Sequence, residues 1–260
     1  MEKEFFKKFE GIKSQFEKEF FPNLKIISGL ESRSGKEHLV RQFLIEKATE
    51  LNIENETDEI GNLYFKSDKP EGDIMLCAHM DKVGEAKQAV LNNDTVIGRL
   101  DDALGINIIL ETIKKWFRPS VLFTTQEENG FYGSEFAVKR ILSGGIKKPS
   151  LILVLDVSAL LKHKEGPIVY TSSGGIDFPL KTIELLKKII KESKQKVNFI
   201  PGFINDSAVL SKLPDQNIAT LQVHVDNMHT SKETAAISDI ESSMKVLEII
   251  LKNNQEFAKI

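Results

Sequence analysis

The run Ile74-Met75-Leu76-Cys77-Ala78-His79-Met80-Asp81 ends in an imidazole and a carboxylate two residues apart. An extended chain repeats every two residues, so both side chains point the same way. The apolar stretch before them fits a strand buried on both faces, and ligands of open α/β sheets gather beyond the carboxyl ends of such strands. Alone, His-x-Asp also describes a strand-end histidine with a local hydrogen bond. The case depends on what other segments deliver. Asp101 and Asp102 stand at a helix start, Glu127 and Glu128 follow Val121–Thr125, Asp156 follows Leu151–Leu155, and His229 sits in Met228-His229-Thr230-Ser231. Two imidazoles with several carboxylates suit a pair of divalent metals of the zinc, cobalt or manganese type. The competing reading is that polar residues merely end buried strands. Glu127 and Glu128 are neighbours and face different ways in an extended segment, so one can ligate while the other acts as a base.

The elements that must position these groups alternate along the chain. Phe5, Phe6, Phe9, Ile12, Phe16, Phe20 and Phe21 recur every three or four residues within Glu4–Phe21, which predicts an amphipathic helix over residues 1–21 packed on the core. Leu39, Val40, Phe43, Leu44, Ala48 and Leu51 predict a helix over Glu37–Leu51, capped by the Ser and Gly residues before it. Strands are expected at Ile53–Thr57, Asn62–Lys66, Ala89–Leu91, Val96–Ile97, Val121–Thr125, Leu151–Leu155, Ile168–Tyr170, Val197–Ile200 and Ile218–Val223. Helices are expected from about residue 103 to Trp116, and at Gly133–Leu142, Phe178–Glu192, Ala208–Leu213 and Ile240–Leu251. This alternation predicts a single-domain α/β sandwich, 1–260, with a mainly parallel mixed sheet between helices.

Composition narrows the function. Apolar residues at 41% and charged ones at 28% describe an ordinary soluble globular chain, and a net charge of −3 supplies no field for nucleic acid or an anionic membrane. Cys77 is the only cysteine, so an intrachain disulfide is excluded, and its apolar setting predicts a packed thiol. The N-terminal residues lack an uninterrupted apolar signal segment, and no run reaches bilayer length, so the expected location is cytoplasmic.

The motifs together resemble a known family. Ile60-Gly61-Asn62-Leu63 and His79-Met80-Asp81-Lys82-Val83-Gly84 are similar to the signature of the glutamyl and tetrahedral aminopeptidases, of the co-catalytic dizinc exopeptidase superfamily. The resemblance continues through Asp101-Asp102-x-x-Gly105, Glu127-Glu128-x-Gly130-x-x-Gly133-Ser134, Leu155-Asp156-Val157-Ser158, Asn205-Asp206-Ser207-Ala208 and His229-Thr230-Ser231-x-Glu233. It implies a zinc-exopeptidase-like fold in which His79 and Asp156 hold one metal, Glu128 and His229 the other, and Asp101 bridges both. Glu127 would be the general base of a metal-bridging hydroxide attacking a peptide carbonyl, and Asp81 would hydrogen-bond the far nitrogen of His79. A cis peptide between Asp101 and Asp102 is implied as well. Asp102 is otherwise read as a helix N-cap or a neighbour of the ligands, and Asp206 as either a contact near the site or an N-cap. His38, His163 and His224 are read as structural or surface residues.

The chain departs from the tetrahedral enzymes in one respect. Nineteen residues separate Asp81 from Asp101, too few for the extra domain those enzymes insert there, so their large assemblies are not implied and the oligomeric state stays open. The leading expectation is a dizinc aminopeptidase acting on peptides or small amides. The alternatives are a deacylase or carboxypeptidase of the same superfamily and a catalytically dead peptide-binding relative. A carboxylate-reading pocket needs arginine, and none occurs after Arg140. A glycosidase requires two carboxyls flanking the bond about 5–9.5 Å apart, which adjacent glutamates do not provide, although Glu and Asp from different strands could.

Overall fold

The computed structural model describes residues 15–67, 69, 73–115, 117–162 and 166–260. Its strands are β1 (Asn55–Thr57), β2 (Leu63–Phe65), β3 (Ile74–His79), β4 (Val90–Asn92), β5 (Thr95–Gly98), β6 (Ser120–Thr124), β7 (Leu151–Ser158), β8 (Ile168–Ser173), β9 (Ile176–Asp177), β10 (Asn198–Gly202), β11 (Ile218–His224) and β12 (Glu233–Ala236). The principal helices are α1 (Phe21–Gly29), α2 (His38–Glu50), α3 (Ala103–Lys114), α4 (Tyr132–Leu142), α5 (Leu180–Glu192), α6 (Asp206–Leu210) and α7 (Ile237–Lys252).

Among the described residues the main sheet runs β1-β2-β6-β3-β7-β11-β8-β10, with β9 paired to β8. Its centre, β6-β3-β7-β11, is parallel, and antiparallel pairs lie to either side: β1 with β2, β2 with β6, and β8 with β11. The strands divide their side chains between two cores. Ile74, Leu76 and Ala78 of β3 join Leu151, Leu153 and Leu155 of β7 on one face, under α1, α2, α3 and α7. Met75 and Cys77 join Ile152 and Val154 on the other, under α4 and α6. This is the period of two in a sheet covered on both sides.

A smaller sheet, β12-β5-β4, occupies the short interval between Asp81 and Asp101 and brings β12 from near the end of the chain beside it. No helix among the described residues is long and apolar enough to cross a membrane.

Several boundaries differ from the sequence expectation. The predicted N-terminal helix lies outside the described residues up to Ser14; its described part is a π-helical turn, Phe16–Phe20, that runs on into α1. Pro22 is tolerated there because it stands in the first turn, where an N–H has no helical partner. Phe16 and Phe20 are buried with their rings stacked. Leu39, counted among the apolar positions of α2, is exposed, and no side chain caps that helix. Strand β7 does not stop at Leu155 but continues to Ser158, so Asp156 lies within the strand rather than beyond it. Trp116 and His163 lie outside the described residues.

Candidate metal centre

The parallel register of β3 on β7 runs from Ile74 opposite Leu151 to Cys77 opposite Val154. Continued by two residues, the same offset sets His79 beside Asp156, on the face that carries α4 and α6. His79 Nε2 lies 3.8 Å from Asp156 Oδ1 and 3.1 Å from Asp101 Oδ1. Asp101 arrives from the turn between β5 and α3, and its other oxygen, Oδ2, is 3.2 Å from His229 Nε2. His229 Nε2 is also 3.5 Å from Glu128 Oε1. One carboxylate therefore faces an imidazole with each oxygen. All five predicted ligands converge, and the Asp101–Asp102 peptide is cis.

Asp81 is wholly buried, and its carboxylate is turned towards the segment after β6. Oδ1 accepts from Glu127 N at 2.9 Å, and Oδ2 accepts from Glu128 N at 3.0 Å and from the Ser34 hydroxyl at 2.6 Å. The nearest partner of His79 Nδ1 is the main-chain carbonyl of Asp81 at 3.0 Å, with the Asp81 carboxylate at 3.5 Å. An Nδ1–H donated to that carbonyl leaves Nε2 as the ligating nitrogen. Asp81 thus orients the paired glutamates more directly than it orients His79, because two convergent amides draw its carboxylate to them.

Asp102 caps α3, its Oδ1 accepting from Gly105 N at 2.8 Å, while Oδ2 is buried without a hydrogen-bond partner. His79, Asp102 and Asp156 each offer an atom within 4.8 Å of the others, as do His79, Asp101 and Glu128. Asp206 caps nothing: Asn205 is the N-cap of α6, and Asp206 is buried behind the cleft, accepting from Thr124 Oγ1 at 2.5 Å. His224 pairs with Asp226 at 2.9 Å, and His38 is exposed at the start of α2.

Two contacts had no signal in the sequence beyond their motifs. Asn205 donates from Nδ2 to Asp156 Oδ2 at 2.9 Å, occupying the oxygen turned away from His79. Ser34, expected near a helix cap, holds Asp81 instead. Both pairings join residues about fifty apart, which local patterning does not reveal.

The electrostatics are those of crowded acids. Burial and the nearby carboxylates, Asp206 and Asp156 foremost, push Glu127 up to about 10, and burial with Asp101 raises Glu128 to about 7. Burial works against a charged His79, but Asp101, Asp156 and Asp81 outweigh it and raise its pKa well above the ordinary value. Hydrogen bonding to Asp101 raises His229 to about 8, and the two imidazoles hold Asp101 below the usual carboxylate range despite its burial. The cleft, about 240 Å³, is lined by these groups with Gly130, Phe131, Ile204 and Met228, and among the described residues by no lysine or arginine. Two imidazoles and three carboxylates, with the buried Asp101 Oδ2 lacking a hydrogen bond, are a donor set that fits divalent cations. A larger cavity, about 420 Å³, opens at the other end of β3 and β6, where Lys66 and Lys147 are already paired with Glu56 and Asp73.

Residues 60–252 match the profile of peptidase family M28. A putative aminopeptidase of Acetivibrio thermocellus is 22% identical, over 89% of this chain and 98% of its own. Among solved structures, a TET aminopeptidase from a marine sediment archaeon of the Thaumarchaeota superposes with a TM-score of 0.82 at 13% identity, covering 92% of this chain and 97% of that one. An aminopeptidase of Desulfurococcus kamchatkensis gives 0.78 at 15% identity, covering 92% and 96%. These likenesses support the zinc-exopeptidase-like α/β fold.

Proposed function

Because the chain belongs to peptidase family M28, we propose that it is a metal-dependent aminopeptidase that removes N-terminal residues from peptides. The observation that carries this reading is Asp101, whose two oxygens stand 3.1 and 3.2 Å from the imidazoles of His79 and His229. His79 and Asp156 would hold one cation and Glu128 and His229 the second, with Asp101 placed to serve both. Two such cations polarise the scissile carbonyl and lower the pKa of water towards about 7.

The chain's own residues do the rest. The burial and crowded carboxylates that keep Glu127 protonated in the metal-free cleft would be offset by bound cations, and Glu127 then takes the proton of the attacking water and delivers it to the nitrogen of the departing amine. The water oxygen bonds to the carbonyl carbon first, and the C–N bond breaks as the carbonyl re-forms, the amine leaving with the proton from Glu127. Asp81 fixes Glu127 and Glu128 through their amides, so that one faces the cations and the other the reacting atoms. The free amine of the substrate is met by carboxylates, and its side chain lies against Phe131, Ile204 and Met228. A carboxypeptidase or an acyl-amino-acid deacylase needs a cationic side chain to read a carboxylate, and none lines this cleft among the described residues.

The test is chelator-stripped protein reloaded with Zn²⁺, Co²⁺ or Mn²⁺ and assayed on aminoacyl anilides, acyl-amino acids and chromogenic glycosides. Metal-dependent cleavage confined to the free-amine substrates is expected. Cleavage of acyl-amino acids alone, or activity indifferent to the chelator, would sink the proposal.

A further inference from the structure

Glu233 is completely buried at the start of β12, opposite Gly98 of β5, and it touches both loops that carry the outer part of the metal centre. Its Oε2 accepts from Leu100 N at 2.5 Å and from Asp101 N at 3.1 Å. Its Oε1 accepts from His229 N at 2.8 Å and from Arg99 Nη1 at 3.3 Å. Four donors from two segments more than a hundred residues apart in sequence meet one carboxylate.

His229 makes this arrangement informative. Its φ is +61°, a left-handed conformation that residues with a Cβ adopt rarely and hold only when neighbours enforce it. The bond to Glu233 is made by the amide of that same residue, and the imbalance it corrects is local: His229 lies on an exposed loop, whereas His79 is held in the sheet. We infer that Glu233 is a positioning residue for the second cation, setting the backbone of Asp101 and His229 so that Asp101 Oδ2 and His229 Nε2 face each other. This rests on the two-cation reading above. Only a carboxylate serves all four donors, since an amide in its place turns an NH₂ against one pair of them.

The experiment is a Co²⁺ titration of chelator-stripped protein, followed by calorimetry and visible absorption, in the wild type, Glu233→Gln and Glu233→Asp. The wild type takes up two equivalents. Glu233→Gln is expected to weaken the second equivalent about 10–100-fold, at least tenfold more than the first, with Glu233→Asp in between. Equal weakening of both equivalents, or a lowered melting temperature with both affinities intact, would mark a merely structural plug and overturn the inference. Where Glu233→Gln does not fold, Glu233→Asp is judged by the same criterion. A wild-type protein that takes up no second equivalent would instead remove the reading on which this inference rests.

Discussion

The two halves of the metal centre are built by different means. His79 and Asp156 belong to adjacent parallel strands, and their side chains are 4% and 9% exposed. Glu128 and His229 sit on loops, with the His229 side chain 46% exposed. In the first half sheet register does the positioning, and a slip of one residue would turn either side chain to the other face. In the second half main-chain amides are held by buried carboxylates: Asp81 holds those of Glu127 and Glu128, and Glu233 those of Asp101 and His229. A half made of loops is more easily perturbed than one made of hydrogen-bonded strands.

The sharpest way to break this division is Glu127→Gln. It assigns Glu127 to neither half, so turnover should fall about 10²–10⁴-fold while both metal equivalents remain, as measured by single-turnover kinetics and metal analysis. Loss of a metal would place Glu127 among the ligands. His229→Ala should abolish the second equivalent and spare the first, and His79→Ala should remove the first; calorimetric titration reads both, and a symmetric loss in either variant would erase the distinction. Asn205→Ala frees Asp156 Oδ2 and should weaken the first equivalent alone, by about 10–100-fold. The smallest effect concerns pH. Glu128, at about 7, and His229, at about 8, must lose their protons to bind a cation, so affinity for the second equivalent should rise with pH from 6 through 8 and level off only about one unit above the His229 value, with protons released into weakly buffered solution.

Much of the architecture could be read in advance because its signals are local. The apolar run before His79 became a strand buried along its whole length, and the spacing of Ile106, Ile109, Leu110 and Ile113 became the buried α3. Gly174-Gly175, a pair that suits a tight turn, is the turn between β8 and β9, with both residues at positive φ and Gly174 against the cleft residue Ile204. The failures were of long-range origin. Leu39 fits a helical repeat yet meets solvent, because no element among the described residues covers it. Ser34 looked like a cap and became a partner of Asp81, and of the two readings of Asp206 the N-cap fails, since Asn205 caps α6 while Asp206 is buried and bonded to Thr124.

Residue types and their order alone determined that two imidazoles and a group of carboxylates end up near strand ends, since apolar periodicity places strands and the side chains that follow them. Tertiary structure decided which oxygen meets which nitrogen: the register of β3 on β7, the facing of Asp101 by both imidazoles, and the buried carboxylates that tie the loops. The reason is that every residue except proline carries a main-chain N–H, so an amide held by Asp81 or Glu233 leaves no mark in the sequence, and only the folded chain brings that carboxylate within reach of it.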